Sequence, residues 1–162
     1  MTVDAKRELV ARLRAELEEE IARTTRHAKD AAEGATHADA KPEGDKDMRS
    51  TEASYIARGQ AARVAEIEGT LARLEAMPIK SFTDGASIEA SALVDVEHEG
   101  KTATYLLVPA AGGRAVEAAG IRAQTLATTS PLGRALLGLE EGDEVEVTTP
   151  QGMREHTVLR VR

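Results

Sequence analysis

The chain has 162 residues, enough for one ordinary domain or two small ones, and carries 21 Lys+Arg against 28 Asp+Glu for a net charge of −7. That balance argues against a general nucleic-acid binder, and the absence of Cys excludes disulfides, thiol nucleophiles and thiolate zinc sites. Aromatics are 2% (Tyr55, Phe82 and Tyr105), too few for a base-stacking platform or an aromatic-walled pocket.

The first half reads as helix. Leu9, Leu13, Leu17 and Ile21 recur at four-residue steps and form one apolar stripe, with Asp4 placed as an N-cap ahead of it. Residues 34–47 then carry Gly34, Pro42 and Gly44, so a connecting loop is predicted there. Beyond it, Ala53, Ala57, Gln60, Val64, Ile67, Leu71 and Leu74 alternate four- and three-residue steps. This is the seam of a helix lying along another helix, and two helices joined by a short connection return antiparallel. The predicted hairpin covers residues 1–77.

After Pro78 the period becomes two. Ile88, Ala90, Ala92, Val94 and Val96 alternate with mostly polar residues, which predicts a strand with one buried face. Glu99-Gly100 reads as a turn into a second strand over residues 102–108. Ser130 as N-cap, Pro131 at the first helical position and Gly138 as the stop predict a short helix. Val145 and Val147 belong to a further strand, Pro150-Gln151-Gly152 to a turn, and residues 155–161 to a last strand. The fold class expected is therefore α+β. An antiparallel helical hairpin precedes a small antiparallel β domain, residues 78–162, with one short helix. No apolar run approaches the ~18 residues of a membrane span, and MTVDAKRELV lacks the apolar core of a signal peptide. The cytoplasm is the expected compartment, with no membrane partner.

The run Ser130-Pro131-Leu132-Gly133-Arg134-Ala135-Leu136-Leu137-Gly138, then Gly142-Asp143 leading into Glu144-Val145-Glu146-Val147, then Thr149-Pro150-Gln151-Gly152, closely resembles the C-terminal domain of the Gre transcript-cleavage factors. The helical half is similar to that family's coiled coil, including Tyr55 and Ala57. The resemblance implies an FKBP-like C-terminal domain that docks on RNA polymerase, with Ser130, Pro131 and Arg134 as docking candidates. It implies a coiled coil that enters the polymerase secondary channel. Arg23, Arg26, Arg58 and Arg63 become candidates for contact with the RNA 3′ end, against the plainer reading of a solvated face with Glu partners. It implies an accessory factor rather than an enzyme, with no catalytic residues of its own. It binds no duplex DNA, and a monomer is expected.

The family's tip holds acidic residues that help the polymerase bind a second Mg²⁺. Here the tip candidates are Glu43, Asp45, Asp47 and Glu52, with Asp45 and Asp47 as shared Mg²⁺ ligands in the complex only. Asp45 or Asp47 could equally be the N-cap of the second helix. The family motif Gly-Asp-Leu-x-Glu-Asn-Ala-Glu-Tyr corresponds to Asp47-Met48-Arg49-Ser50-Thr51-Glu52-Ala53-Ser54-Tyr55. Counted back from Tyr55, Met48 stands at the Asp position and Thr51 at the Glu position. Two functions remain open at this point: a cleavage-stimulating elongation factor, and a non-cleaving occupant of the channel that competes with such factors. A prolyl isomerase is a remote third, which the aromatic count opposes.

Overall fold

The structure is a computed structural model; it describes residues 3–38 and 43–162, with side chains for 3–34 and 48–162. Two long helices, α1 (Val3–Ala38) and α2 (Glu43–Glu75), precede six strands and one short helix. They are β1 (Leu93–His98), β2 (Lys101–Val108), β3 (Ala115–Ala118), β4 (Ile121–Ala127), α3 (Pro131–Leu136), β5 (Glu144–Thr149) and β6 (Gly152–Val161). The class is α+β, as expected.

The predicted loop at 34–47 is shorter than the sequence suggested. α1 continues through Gly34 to Ala38, and α2 begins at Glu43 and runs through Gly44. A lone helical glycine costs only about 1 kcal/mol, which a long helix absorbs; residues 39–42 of the predicted loop lie outside the described residues. The acidic positions 43, 45 and 47 thus lie on the first turns of α2; their side chains are outside the described residues.

The chain divides into two compact units, Ala15–Leu71 and the combination of Met1–Arg14 with Ala72–Arg162. In the first unit the predicted seam is the shielded side of α2. Ala53, Ala57, Gln60 and Val64 are half-buried and Ile67 is buried, while the residues between them are exposed. Leu17, Ile21 and Thr24 do the same for α1. Arg63 on α2 reaches Glu20 on α1 at 2.7 Å.

The second unit differs from the boundary drawn at Pro78, because the first turns of α1 and the last of α2 belong to it. Leu9, Leu13 and Leu74 are buried there, and Arg14 pairs with Glu75 at 2.5 Å. Lys6 explains much of the attachment. It is 1% exposed, and its Nζ donates to the carbonyls of Lys80 (2.5 Å) and Arg162 (3.2 Å) while lying 4.4 Å from the centre of the Phe82 ring. One ammonium therefore joins α1, the segment after α2 and the end of β6. Burial lowers its pKa from the ordinary 10.5 to about 8, and the two carbonyls and the ring face compensate part of that cost.

The sheet order is β3-β4-β2-β1-β6-β5. It is mixed, which corrects the antiparallel expectation: β2 and β4 run parallel, Tyr105 opposite Gln124 through Val108 opposite Ala127. β3 and β4 form a hairpin that the sequence reading missed. Its turn, Ala119-Gly120, has positive φ at both residues (51° and 71°), as does Glu99-Gly100 between β1 and β2 (50° and 73°). Both are two-residue turns whose twist suits flanking strands. The strand predicted over residues 88–96 begins only at Leu93. Ser91 has φ 73°, and the Ala92 amide donates to the Glu89 carbonyl, so residues 88–92 turn instead of extending. Ile88 and Ala92 are buried all the same. Leu93 and Val94 are both fully buried, so the start of β1 is covered on both faces rather than one.

Candidate interaction site

On one face of the sheet, Val94, Val96, Leu107, Val158 and Val161 form the core with Ile88, Ala92 and Leu136 of α3. α3 has six residues, about 9 Å at ~1.5 Å per residue, whereas the ten residues of β6 extend over about 33 Å. The helix therefore covers only part of the face. What it leaves is an open groove of about 590 Å³. Val96, Tyr105, Leu126, Leu132 and Val147 form its apolar floor, and Ser130 and Pro131 of the α3 start form one wall.

Two glycines and a serine set that wall. The Ser130 hydroxyl donates to the Ala127 carbonyl at 2.7 Å and accepts from the Gly133 amide at 3.1 Å, an N-cap that ties α3 to the end of β4. A Cβ on Gly133 would stand 2.0 Å from the same Ala127 carbonyl oxygen, so only glycine lets the helix approach this closely. Gly138 closes the helix with φ 84°, and its amide donates to the Ile88 carbonyl at 2.9 Å. The sequence reading found the cap and the stop but not the role of Gly133.

The far rim is basic. Strand pairing places Lys101 opposite His98 and Arg154 opposite Val147. His98 and His156 lie side by side with ring centres 4.7 Å apart. The Glu155 carbonyl accepts from His98 Nδ1 at 2.8 Å, and His98 Nε2 lies 3.8 Å from a Glu99 carboxylate oxygen. His156 is 8% exposed, and burial, then His98, then Arg154 hold its pKa below the ordinary 6.5. Lys101 and Arg154 are exposed. Neither histidine, nor Lys101 or Arg154, figured among the sequence candidates. The signal was the period of two, which puts residues 96, 98 and 101, 103, 105 on one face once the Glu99-Gly100 turn is read.

Of the docking candidates, Pro131 and Arg134 are exposed, and Ser130 is half-buried with its hydroxyl engaged in the cap. Ser130 is thus a structural residue of the wall, and only its outer surface is left for a partner. Of the RNA candidates, Arg23, Arg26 and Arg58 are exposed. Arg63 is held between Glu20 and Glu66, at 2.7 and 2.9 Å, and these partners, Glu20 foremost, raise its pKa. Its placement follows the solvated-face reading.

At the tip, Glu43, Asp45 and Asp47 lie outside the residues with described side chains. α2 is continuous through residues 43–55. Met48 is 79% exposed, and Thr51 and Glu52 are exposed. Positions 48 and 51 are three apart, turned about 60° around the axis; positions 47 and 52 are five apart, turned about 140°. The spacing of Asp47 and Glu52 thus differs from that of positions 48 and 51. Among the described residues no group of three or more His, Asp or Glu could hold a metal ion, and no helix is long and apolar enough to cross a membrane.

The chain is similar to known proteins. The family model described as transcription elongation factor GreA/GreB, C-terminal, matches residues 83–162. The transcription elongation factor GreA of Alkalilimnicola ehrlichii is 31% identical over 133 residues, 81% of this chain and 78% of that protein. GreA of Halorhodospira halophila is 31% identical over 140 residues, with the same coverage. Among solved structures, the GreA factor homolog 1 of Thermus thermophilus aligns over 92% of this chain and 94% of its own at 22% identity, with a TM-score of 0.40. The matched segment holds the Ser130 cap, the Gly133 contact and the hairpin turns of the sheet, and with identity extending beyond it over four-fifths of the sequence, the chain belongs to the GreA/GreB family of transcription elongation factors.

Proposed function

We propose that this protein binds RNA polymerase through its sheet domain, places its helical hairpin in the secondary channel, and modulates elongation there without stimulating RNA cleavage. Family membership supports the partner and the route. Residues 15–38 give roughly 36 Å of α1 at ~1.5 Å per residue, a length suited to reaching into a larger enzyme. The protein works as an accessory factor, and the polymerase supplies any chemistry. The RNA 3′ end is within reach of the exposed Arg23, Arg26 and Arg58 in that complex.

The observation that carries the non-cleaving reading is exposed Met48, with Thr51 one turn on, where the family motif has Asp and Glu. Mg²⁺ is a hard cation that takes carboxylate oxygens; a thioether does not ligate it, and a neutral hydroxyl does not supply a carboxylate's charge. Of the tip residues with described side chains only Glu52 is a carboxylate, and it stands one position beyond the motif's Glu; Glu43, Asp45 and Asp47 lie outside the described side chains. No metal step is derived for this chain.

The test uses a stalled, backtracked elongation complex with Mg²⁺. The expected result is binding, displacement of a cleavage-competent GreA, and no release of short RNA. Binding with release of a dinucleotide would overturn the non-cleaving reading, and absence of binding would overturn the polymerase reading itself. The double substitution Met48→Asp with Thr51→Glu is expected to confer release.

A further inference from the structure

The two edges of the sheet differ. At one, β3 has four residues, AVEA, and offers little length for another strand to pair with. At the other, β5 has six, paired with β6 from Glu144 opposite Thr157 to Thr149 opposite Gly152 with no shift of register. No proline or bulge interrupts it, and among the described residues no strand pairs with its outer side. The Val158 amide donates to the Asp143 carbonyl at 2.8 Å, so alternation along the antiparallel ladder turns the backbone groups of Val145, Val147 and Thr149 towards β6. The N–H and C=O groups of Glu144, Glu146 and Thr148 therefore point outward, and all three residues are exposed. The side chains are as regular as the backbone. Val145 and Val147 lie on the α3 side of the sheet, half-buried and buried, and Glu144 and Glu146 on the opposite side. Glu146 stands directly opposite Glu155, and among the described residues neither carboxylate has a cationic partner. Like charges facing each other across a strand pair are destabilising, and nothing within this sheet relieves them.

We infer that the outer edge of β5 takes up an extended protein segment as an added strand, with Lys or Arg beside Glu144 and Glu146 and apolar side chains beside Val145 and Val147. The outward backbone groups supply the hydrogen bonds, and the alternating side chains choose the partner. Charged side chains keep an edge from pairing at random. Charge of a single sign does so selectively: it rejects neutral and acidic strands and admits a cationic one, which also relieves Glu146 against Glu155. A second copy of the chain is the wrong occupant. Pairing β5 with β5 would set the glutamates of one copy beside those of the other, on chains that each carry −7. Nucleic-acid phosphates are repelled by the same carboxylates. The inference goes beyond the polymerase reading and does not depend on it.

The probe is a short end-blocked peptide of alternating Lys and Val, titrated into the full chain up to about 1 mM, with a peptide of alternating Glu and Val as control. The Lys peptide is expected to bind, to bind less well as salt is raised, and to slow amide hydrogen exchange at Glu144, Glu146 and Thr148 several-fold. Two variants separate charge from backbone. Glu144→Lys with Glu146→Lys alters exposed side chains only, so thermal unfolding is expected to stay unchanged while affinity for the Lys peptide falls about tenfold or more. Thr148→Pro keeps every charge and removes one outward N–H, a change an edge strand tolerates, and is expected to weaken binding about tenfold. Should that variant unfold, the exchange pattern of the wild type decides alone. Binding that leaves the three amides unprotected, or that a folded Thr148→Pro retains in full, is charge attraction without an added strand and overturns the inference. So do equal binding of the Glu peptide, no binding at all, and self-association of the wild type that Thr148→Pro abolishes.

Discussion

Replacing Gly133 by Ala inverts the usual sign of a helical Gly→Ala change. In an unconstrained helix that substitution stabilises by up to about 1 kcal/mol. Here the new Cβ would meet the Ala127 carbonyl oxygen at 2.0 Å and its carbon at 2.9 Å, with the Ser130 Oγ also at 2.9 Å. All three are backbone or capping atoms, so no flexible side chain can swing away. Restoring contact beyond 3 Å moves α3 by about 1 Å, enough to break the Ser130 cap at 2.7 and 3.1 Å. Overpacking of this kind costs about 1–3 kcal/mol and a lost N-cap about 1 kcal/mol. Against the propensity gain of up to about 1 kcal/mol, the net loss is about 1–3 kcal/mol. For a unit of this size that is roughly 4–24 °C in Tm, taking about 4–8 °C per kcal/mol. Leu136 would lift with the helix, so the core on that face loosens and the groove changes shape. Differential scanning calorimetry of the wild type and Gly133→Ala reads the shift directly. A Tm that is unchanged or higher would show that the close approach of α3 to β4 is wrong, and with it the wall of the groove.

Gly59→Ala and Gly69→Ala provide the opposite sign. Both lie inside α2 with nothing within 4 Å of the added Cβ. Each is expected to stabilise the helical unit by about 0.5–1 kcal/mol, seen as a higher midpoint in far-UV circular dichroism melts. The sheet domain should lose stability in acid through His156. Its folded pKa is held below 6.5, so the unfolded chain takes up the proton first as pH falls. The contribution of neutral His156 is whole above pH 6.5 and is lost as pH drops through the folded value. Urea titrations at stepwise lower pH are expected to show that loss, and His156→Gln to flatten it; an unchanged slope in the variant would assign the acid sensitivity elsewhere.

The long-period features of this fold were legible and the non-local ones were not. The α2 seam could be read residue by residue because a helix repeats its own pattern, and the burial of Ile67 and Leu74 follows it. The Ser130 cap and the Gly138 stop are likewise local chemistry. The β3–β4 hairpin escaped because AVEA and IRAQTLA are short and rich in alanine, which has weak strand preference. Parallel pairing of β2 with β4 joins strands separated by β3, and no spacing in the sequence marks it. Lys6 is the extreme case. A lysine on the first turns of a charged helix reads as solvated, and only the folded chain brings the Lys80 and Arg162 carbonyls to its ammonium.

The groove was hidden for a related reason, and the reason bears on how such a site arises. Its residues come from β1, β2, the end of β4, the start of α3, β5 and β6, so no single stretch carries a motif for it. What determines it is a mismatch of lengths. Six residues of α3 cannot roof a face built from strands of six to ten, and the Gly133 contact holds that short helix to the end of β4 instead of letting it slide across the sheet. The uncovered strand ends then carry whatever the chain places there. Val96 and Val147 continue the apolar floor, while His98, Lys101, Arg154 and His156 turn the remainder basic. A longer α3 would bury Lys101 and Arg154 and make their charges costly; the short one leaves both exposed and His98 half-buried, while His156 is buried and held neutral by that burial.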